Sequence, residues 1–580
     1  MAQIERSKST NSNIFIIIGL AFSFLLISSS LVVFLYPFPS KEKISYSTLK
    51  NPIVTNSEIY KEDALIEDGI VYFPLSYIQE TIDDSIIIDE SSKSIILTTR
   101  DKVYQMPSES LTYFVNEEPH QLEFPIYKIE NDIPYISIDP FQGLYQIEYE
   151  FISETGITVV RINGETIQTA FVKGEQKESH LFLRSEPTLT SPYAEGLEAE
   201  DLVYIEDEQE DYYYVRKENG IAGYVKKNIL KGKETSKLEI AKIQENSTPI
   251  QVPSMPVNLT WEAVYTKNPD TSKIPEMPGV NVVSPTWFSL KNKEGDIENL
   301  GSTAYINWAK AKNYQVWGLF SNDFDPDKTH EAFKDFETRK KMIRQLLEYS
   351  GMYQLDGINL DIENVYEEDG PLVTQFVKEA TPFFHEAGLV VSMDVTFISS
   401  SGNWSKFYER EKLAEVVDYM IVMAYDEHWG TSPVAGSVAS LPWVEGNLQD
   451  ILELVPNDKL ILGVPLYTRL WKEADTAGGN IEVSSKAYSM EAIQEWIKAR
   501  NLVPVLDEAS GQNYVEYRDE NEKTTYKVWL EDELSIKKRI QLIHNYDLAG
   551  VASWSRFFAD ETAWTSISTS IGDSKAVNND

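Results

Sequence analysis

Three polar residues stand at every second position of "YQLDGINLDIENVY": Asn359, Asp361 and Glu363, with Leu360 and Ile362 between them and Ile358 just before. Side chains two apart on a strand share a face, so an amide and two carboxylates point one way and the apolar residues the other. Asp361 and Glu363 then stand about 7 Å apart along the backbone. Two carboxyls so close, facing a low-dielectric interior, do not easily both ionise. One of them keeps a proton near neutral pH, as a general acid must.

Such a face needs elements that turn it toward a site. From about residue 255 to 570 the chain alternates strand and helix, with candidate strands beginning near Asn258, Val280, Tyr314, Leu355, Leu389, Asp418, Lys459 and Ala549. Amphipathic helices such as "FKDFETRKKMIRQLLEYS" and "SIKKRIQLIHNY" lie between several of them. Eight units predict an α/β fold, a closed (β/α)8 TIM barrel, over an open doubly wound sheet. Ile358, Leu360 and Ile362 would meet the helices, and Glu363 would stand at the C-terminal end of the fourth strand, where barrel enzymes place their chemistry. "QNYVEYRDENEKTTYKVW", Gln512 to Trp529, reads as a hairpin and predicts a β insertion before the last strand.

"LDGINLDIE" resembles the signature of glycoside hydrolase family 18. That resemblance implies that Glu363 protonates the glycosidic oxygen. Asp361 would orient the 2-acetamido group of the substrate, whose carbonyl oxygen attacks the anomeric carbon. An oxazolinium intermediate follows, and water opens it with retention. Two carboxylates on one strand do not flank a bond from opposite sides, which agrees with a class that uses no enzyme nucleophile. Asn359 departs from the aspartate found there in many chitinases. It removes a charge that would share the proton equilibrium of Asp361, so the pH profile should differ.

"YMIVMAYDEHW" on the sixth strand resembles the family's Met-x-Tyr-Asp, here Met423, Tyr425 and Asp426. It implies that Tyr425 donates its hydroxyl to the acetamido oxygen and that Asp426 binds the sugar. In "AGVASWSRF", Trp554 falls where the family stacks a tryptophan under the cleaved sugar. "LILGVPLYTRLW" supplies Tyr467, Arg469 and Trp471 at the rim of the seventh strand, and Trp429 lies near the sixth. Each tryptophan is read either as packing or as a sugar contact. "MAYDEHWG" with "LPWV" and "VWLEDELSIKKRI" resemble the branch holding bacterial spore-cortex and germination N-acetylglucosaminidases.

Composition narrows the partners. In 580 residues, 91 acids face 52 bases, a formal charge of −39, which argues against nucleic acid as a partner. There is no cysteine, and the six histidines are scattered, so neither a thiolate nor a His-rich metal site is expected, and no cofactor. Asp323, Asp325 and Asp327 alternate like calcium ligands, but Pro326 intervenes and no glycine follows, which reads better as an acidic helix start.

All twelve tryptophans fall at or after Trp261, which marks a boundary. Residues 45–170 resemble the copper-amine-oxidase-like N-terminal α+β module, without copper because only His120 lies there. Residues 175–235 resemble a bacterial SH3-type all-β domain, a module that commonly binds wall peptide. A linker (236–255), the barrel (256–572) and a tail (573–580) complete the division. "NIFIIIGLAFSFLLISSSLVVFLY", Asn13 to Tyr36, carries no charge and predicts a single-pass membrane anchor within residues 1–40, with everything after it extracytoplasmic. Secretion after signal cleavage is the alternative. The resulting expectation is a retaining β-N-acetylglucosaminidase acting on peptidoglycan. Chitin or a chito-oligosaccharide is the second substrate, and a non-catalytic glycan-binding envelope protein is the rival.

Overall fold

The computed structural model describes residues 11–35, 38–242, 250, 252–253, 256–476 and 480–572. The tail and part of the linker lie outside them. Eight parallel strands close into a barrel: β1 (Val257–Glu262), β2 (Val282–Pro285), β3 (Gln315–Ser321), β4 (Gly357–Asp361), β5 (Val390–Thr396), β6 (Tyr419–Met423), β7 (Leu460–Pro465) and β8 (Gly550–Trp554). Each pairs with the next, and β8 returns to β1.

The alternation on β4 divides as expected. Ile358, Leu360 and Ile362 are fully buried in the apolar layer beneath the helices. The barrel interior is packed instead by Leu259, Trp261, Trp317, Leu319 and Ile421. Gly357 leaves room for one of these: a Cβ there would stand 2.7 Å from the Trp317 ring.

Between β7 and β8 the chain builds a subdomain larger than the expected hairpin. Five antiparallel strands, from Tyr467–Asp475 to Thr524–Trp529, carry the helix Met490–Ala499 over a core that includes Leu470, Ile493, Val515 and Val528. It starts at Tyr467 because β7 runs through Pro465 into a long paired strand.

The barrel forms one compact unit with residues 86–107 and 112–123. These make a five-stranded antiparallel meander whose Ile96 and Val103 pack on Phe336 and Phe383. The two phenylalanines belong to α1 (Phe336–Tyr353) and α2 (Gly370–Glu386). Asp89 accepts the Phe336 backbone N–H at 2.9 Å, and Arg344 pairs with Glu117 at 2.8 Å. Part of the front module is therefore built onto the barrel.

The other unit holds the rest of the front half up to residue 244. It contains two four-stranded sheets and a seven-stranded sheet. Thr166–Val172 lies inside the seven-stranded sheet, between Leu202–Gln209 and Leu230–Lys237, because Ala170 and Val172 bury into its core with Leu183, Val203 and Val215. That sheet thus begins ahead of residue 175. Arg216, buried within it, forms a two-pronged pair with Glu206.

The membrane anchor is corrected. The apolar amino-terminal stretch is helical over Asn11–Leu35, but among the described residues no helix is long and apolar enough to cross a membrane. The extracytoplasmic placement that rested on the anchor falls with it.

Candidate active site

The site grows from the C-terminal end of β4. Asn359, fully buried, has its amide orientation set by two donors. Its Oδ1 accepts from Trp261 Nε1 on β1 at 2.9 Å and from Ser284 Oγ on β2 at 3.1 Å. Its Nδ2 therefore faces β5 and donates to Asp394 Oδ1 at 2.8 Å. Asp361 is 8% exposed, and its Oδ1 has no hydrogen-bond partner among the described residues. Burial pushes its carboxyl up to about 7.

Glu363 lies just past the strand, where the backbone is held by its neighbours. Asn322, buried after β3, accepts the Glu363 N–H through Oδ1 at 3.0 Å and donates Nδ2 to the Glu363 carbonyl at 2.7 Å. Tyr408 donates its hydroxyl to the Ile362 carbonyl at 2.8 Å. Burial, then the charges of Asp361 and Asp426, hold the Glu363 carboxyl well above the ordinary range. A protonated acid at the open end of the barrel is the result.

Tyr425 follows β6. Burial first, then Asp394, keeps its hydroxyl protonated far above the ordinary range, so it is a donor at every working pH. Its ring meets Tyr467 edge-on at 6.3 Å. Asp426 is exposed, with φ of 61°, and one carboxylate oxygen accepts both Tyr467 Oη at 2.6 Å and Arg469 Nη2 at 2.9 Å. Those three residues form one connected group, and Met423, partly buried, ends β6.

Trp554 ends β8 half-buried, its ring 5.9 Å from that of Trp261. Trp471 is fully buried and donates to the Gly436 carbonyl at 2.8 Å, so it packs rather than lines the mouth. Trp429 is 53% exposed. Asp325 caps the helix Pro326–Phe333 by accepting the Lys328 N–H, which accounts for the alternating acids as a helix start.

Sequence reasoning missed Asp394, Asn322 and Tyr408. Asp394 carries a readable signal, since Ser392 and Asp394 alternate in "VVSMDVT" as Asn359 and Asp361 do on β4. The other two come from loops whose approach to Glu363 no local pattern encodes.

A closed barrel with a protonated carboxyl at its mouth, a second carboxyl behind it and a phenol donor beside them is the arrangement of a glycosidase. The chain matches glycosyl hydrolases family 18 over residues 265–559, half of its length, and belongs to that family. Residues 53–159 match the copper amine oxidase N-terminal domain. An uncharacterized glycosylase, YvbX, of Bacillus subtilis is 27% identical over 50% of this chain and 84% of its own. The cortical fragment-lytic enzyme of the same organism is 25% identical over 44% of this chain. The match spans 58% of that enzyme. The solved Bacillus megaterium spore cortex-lytic enzyme SleL aligns over 58% of this chain and 78% of its own, at 18% identity and a TM-score of 0.49.

Proposed function

We propose that the protein hydrolyses β-linked N-acetylglucosamine in peptidoglycan by substrate-assisted, retaining catalysis. The observation that carries this reading is the placement of Asp361 at the end of β4 and of Glu363 two residues further on, both pushed up in pKa, since carboxyls so close along one chain segment do not flank a bond from opposite sides. Glu363 donates its proton to the glycosidic oxygen as the C1–O bond breaks. The acetamido carbonyl oxygen of the substrate forms the new bond to C1, giving the oxazolinium. The Asp361 carboxylate accepts the acetamido N–H and offsets the positive charge, and the Tyr425 hydroxyl donates to the acetamido oxygen. Water then attacks C1, Glu363 recovers the proton, and the ring opens.

The Tyr467–Asp426–Arg469 group and Trp554 are read as sugar contacts. Exposed aromatic residues on the loops after β1, β3, β5, β6 and β8 (Tyr265, Phe324, Trp404, Trp429 and Phe557) support a polymer over a monosaccharide, since each offers a ring for a sugar C–H face. The relatives named as cortical fragment-lytic enzymes favour peptidoglycan. Chitin is the second reading, favoured by the similarity to di-N-acetylchitobiase of Homo sapiens, 24% identical over 37% of this chain. The seven-stranded front sheet, with its SH3-like sequence, is read as a wall-peptide module.

The test is digestion of purified peptidoglycan, followed by mass spectrometry of the new reducing ends. N-acetylglucosamine at those ends is expected, with none released by Glu363→Gln. Release of muramic acid ends, or undiminished release by the variant, overturns the reading.

A further inference from the structure

Asp394 is a third carboxyl in the barrel interior, 1% exposed, and the reaction as derived does not use it. On the paired strands β4 and β5, Asn359 stands opposite Ser392 and Leu360 opposite Met393. The next step along both strands sets Asp361 beside Asp394. The Asn359 amide cannot reverse, because Trp261 and Ser284 both donate to its oxygen. Its N–H is thereby committed to Asp394 Oδ1, which leaves the second oxygen of Asp394 to carry a proton. Across from it, Asp361 Oδ1 is a buried acceptor with no donor among the described residues, a costly state for a carboxyl.

We infer that Asp394 is a positioning residue for Asp361: from the neighbouring strand it holds the shared proton that a carboxyl at position 359 would otherwise hold, and Asn359 fixes it in place. The inference rests on the substrate-assisted reading for its consequence in catalysis. Without substrate, the proton lies between Asp394 and Asp361, and the pair carries one negative charge. When an acetamido N–H reaches Asp361, that charge gathers on Asp361 and the proton settles on Asp394. The net charge of the pair is unchanged, so no proton is exchanged with water. The other groups around the pair are Glu363 beyond β4, Tyr425 beyond β6 and Tyr408 after β5, with Asp426 acting on Glu363 and Arg410 on Tyr408. Arg410 is committed to the Ser405 and Thr396 carbonyls. Burial and the charge of Asp361 push Asp394 well above the ordinary carboxyl range, which fits its holding the proton.

The experiment compares Asp394→Asn, Asn359→Asp and the exchange variant Asn359→Asp/Asp394→Asn. The exchange keeps the hydrogen bonds around position 359 while moving the carboxyl there: a carboxylate at 359 still accepts from Trp261 and Ser284, and an amide at 394 donates to it. The readouts are the acid limb of kcat/KM against pH on a fluorogenic di-N-acetylchitobioside and the carboxyl-carbon titration of 13C-aspartate-labelled protein. Asp394→Asn removes the neighbouring carboxyl and is expected to lower the acid limb by about one pH unit or more. Asn359→Asp adds a third carboxyl and should raise it, and the exchange should return it close to that of the natural protein. An acid limb unmoved in Asp394→Asn, or one that stays lowered in the exchange variant, overturns the inference. If Asp394→Asn shows no cooperative unfolding transition, the exchange variant decides alone by whether its limb matches the natural one. The carbon titration needs no turnover, so it tests the proton pair even where Glu363→Gln proves active and the catalytic reading fails.

Discussion

Asn322 grips Glu363 by both of its backbone polar atoms, accepting its N–H at 3.0 Å and donating to its carbonyl at 2.7 Å. A loop after β3 thereby fixes the angle at which the acid leaves β4. Asn322→Ala should lower kcat by about 10- to 100-fold with a smaller change in KM, since small misplacements of a reacting group are costly. It should also destabilise the fold by about 1–3 kcal/mol, the cost of leaving buried backbone groups unpaired. Steady-state kinetics and thermal unfolding of the same preparation check both.

Glu363→Gln keeps the shape of the acid and removes its proton. Hydrolysis should fall by at least about 100-fold, the lower end of what general acid catalysis supplies, while glycan binding persists. Isothermal titration with a chito-oligosaccharide, beside a reducing-end assay, separates the two effects.

Asp361 also couples stability to pH. Its carboxyl ionises near 7 in the folded protein, against an ordinary value of 3.8, so between those values the folded state binds the extra proton. The sign follows from linkage: the folded state is favoured below about 3.8 and loses that advantage progressively as pH rises to about 7. Asp361→Asn should therefore raise the thermal midpoint relative to the natural protein at pH 8 but much less at pH 4, while losing activity at both. Scanning calorimetry at the two pH values is the measurement.

Asp89 joins the front meander to the barrel. Burial works against its charge, but hydrogen bonds from Ser92 and the Phe336 N–H hold its carboxyl below the usual range. Asp89→Ala should cost about 1–2 kcal/mol, the scale of losing a helix cap. Removing residues 86–123 altogether bares Phe336 and Phe383, so the shortened barrel should bind a hydrophobic dye and aggregate on warming. Urea unfolding and dye fluorescence report each outcome.

The exposed aromatics make a prediction about substrate length. Trp404→Ala and Trp429→Ala should each raise KM for polymer several-fold, because stacking on one sugar face contributes about 1 kcal/mol. Their effect on a fluorogenic disaccharide should be smaller. Equal losses on both substrates would place those rings in the catalytic pocket instead.

Much of the site was legible in one line of sequence. The period of two on β4 assigns Ile358, Leu360 and Ile362 to one side and Asn359, Asp361 and Glu363 to the other, and eight alternating units set the barrel, because both are local consequences of backbone geometry. The insertion was legible only by its hairpin, since β7 runs on into a paired strand at Tyr467 without a compositional break. The amino-terminal stretch carries no charge, yet among the described residues no helix is long and apolar enough to cross a membrane, so absence of charge did not by itself define a span.

The sequence alone determined which residues could be acid, donor and sugar contact, and on which strand ends they stand. Only the tertiary structure decided their states. Asn359 is a neutral residue by itself, yet Trp261, Ser284 and Asp394 arrive from three other strands to give it one orientation. Asn322 and Tyr408 reach Glu363 from separate loops. The field that keeps a proton on a carboxyl comes from what burial removes and what neighbouring chains bring close, and neither is written within the strand that carries the acid.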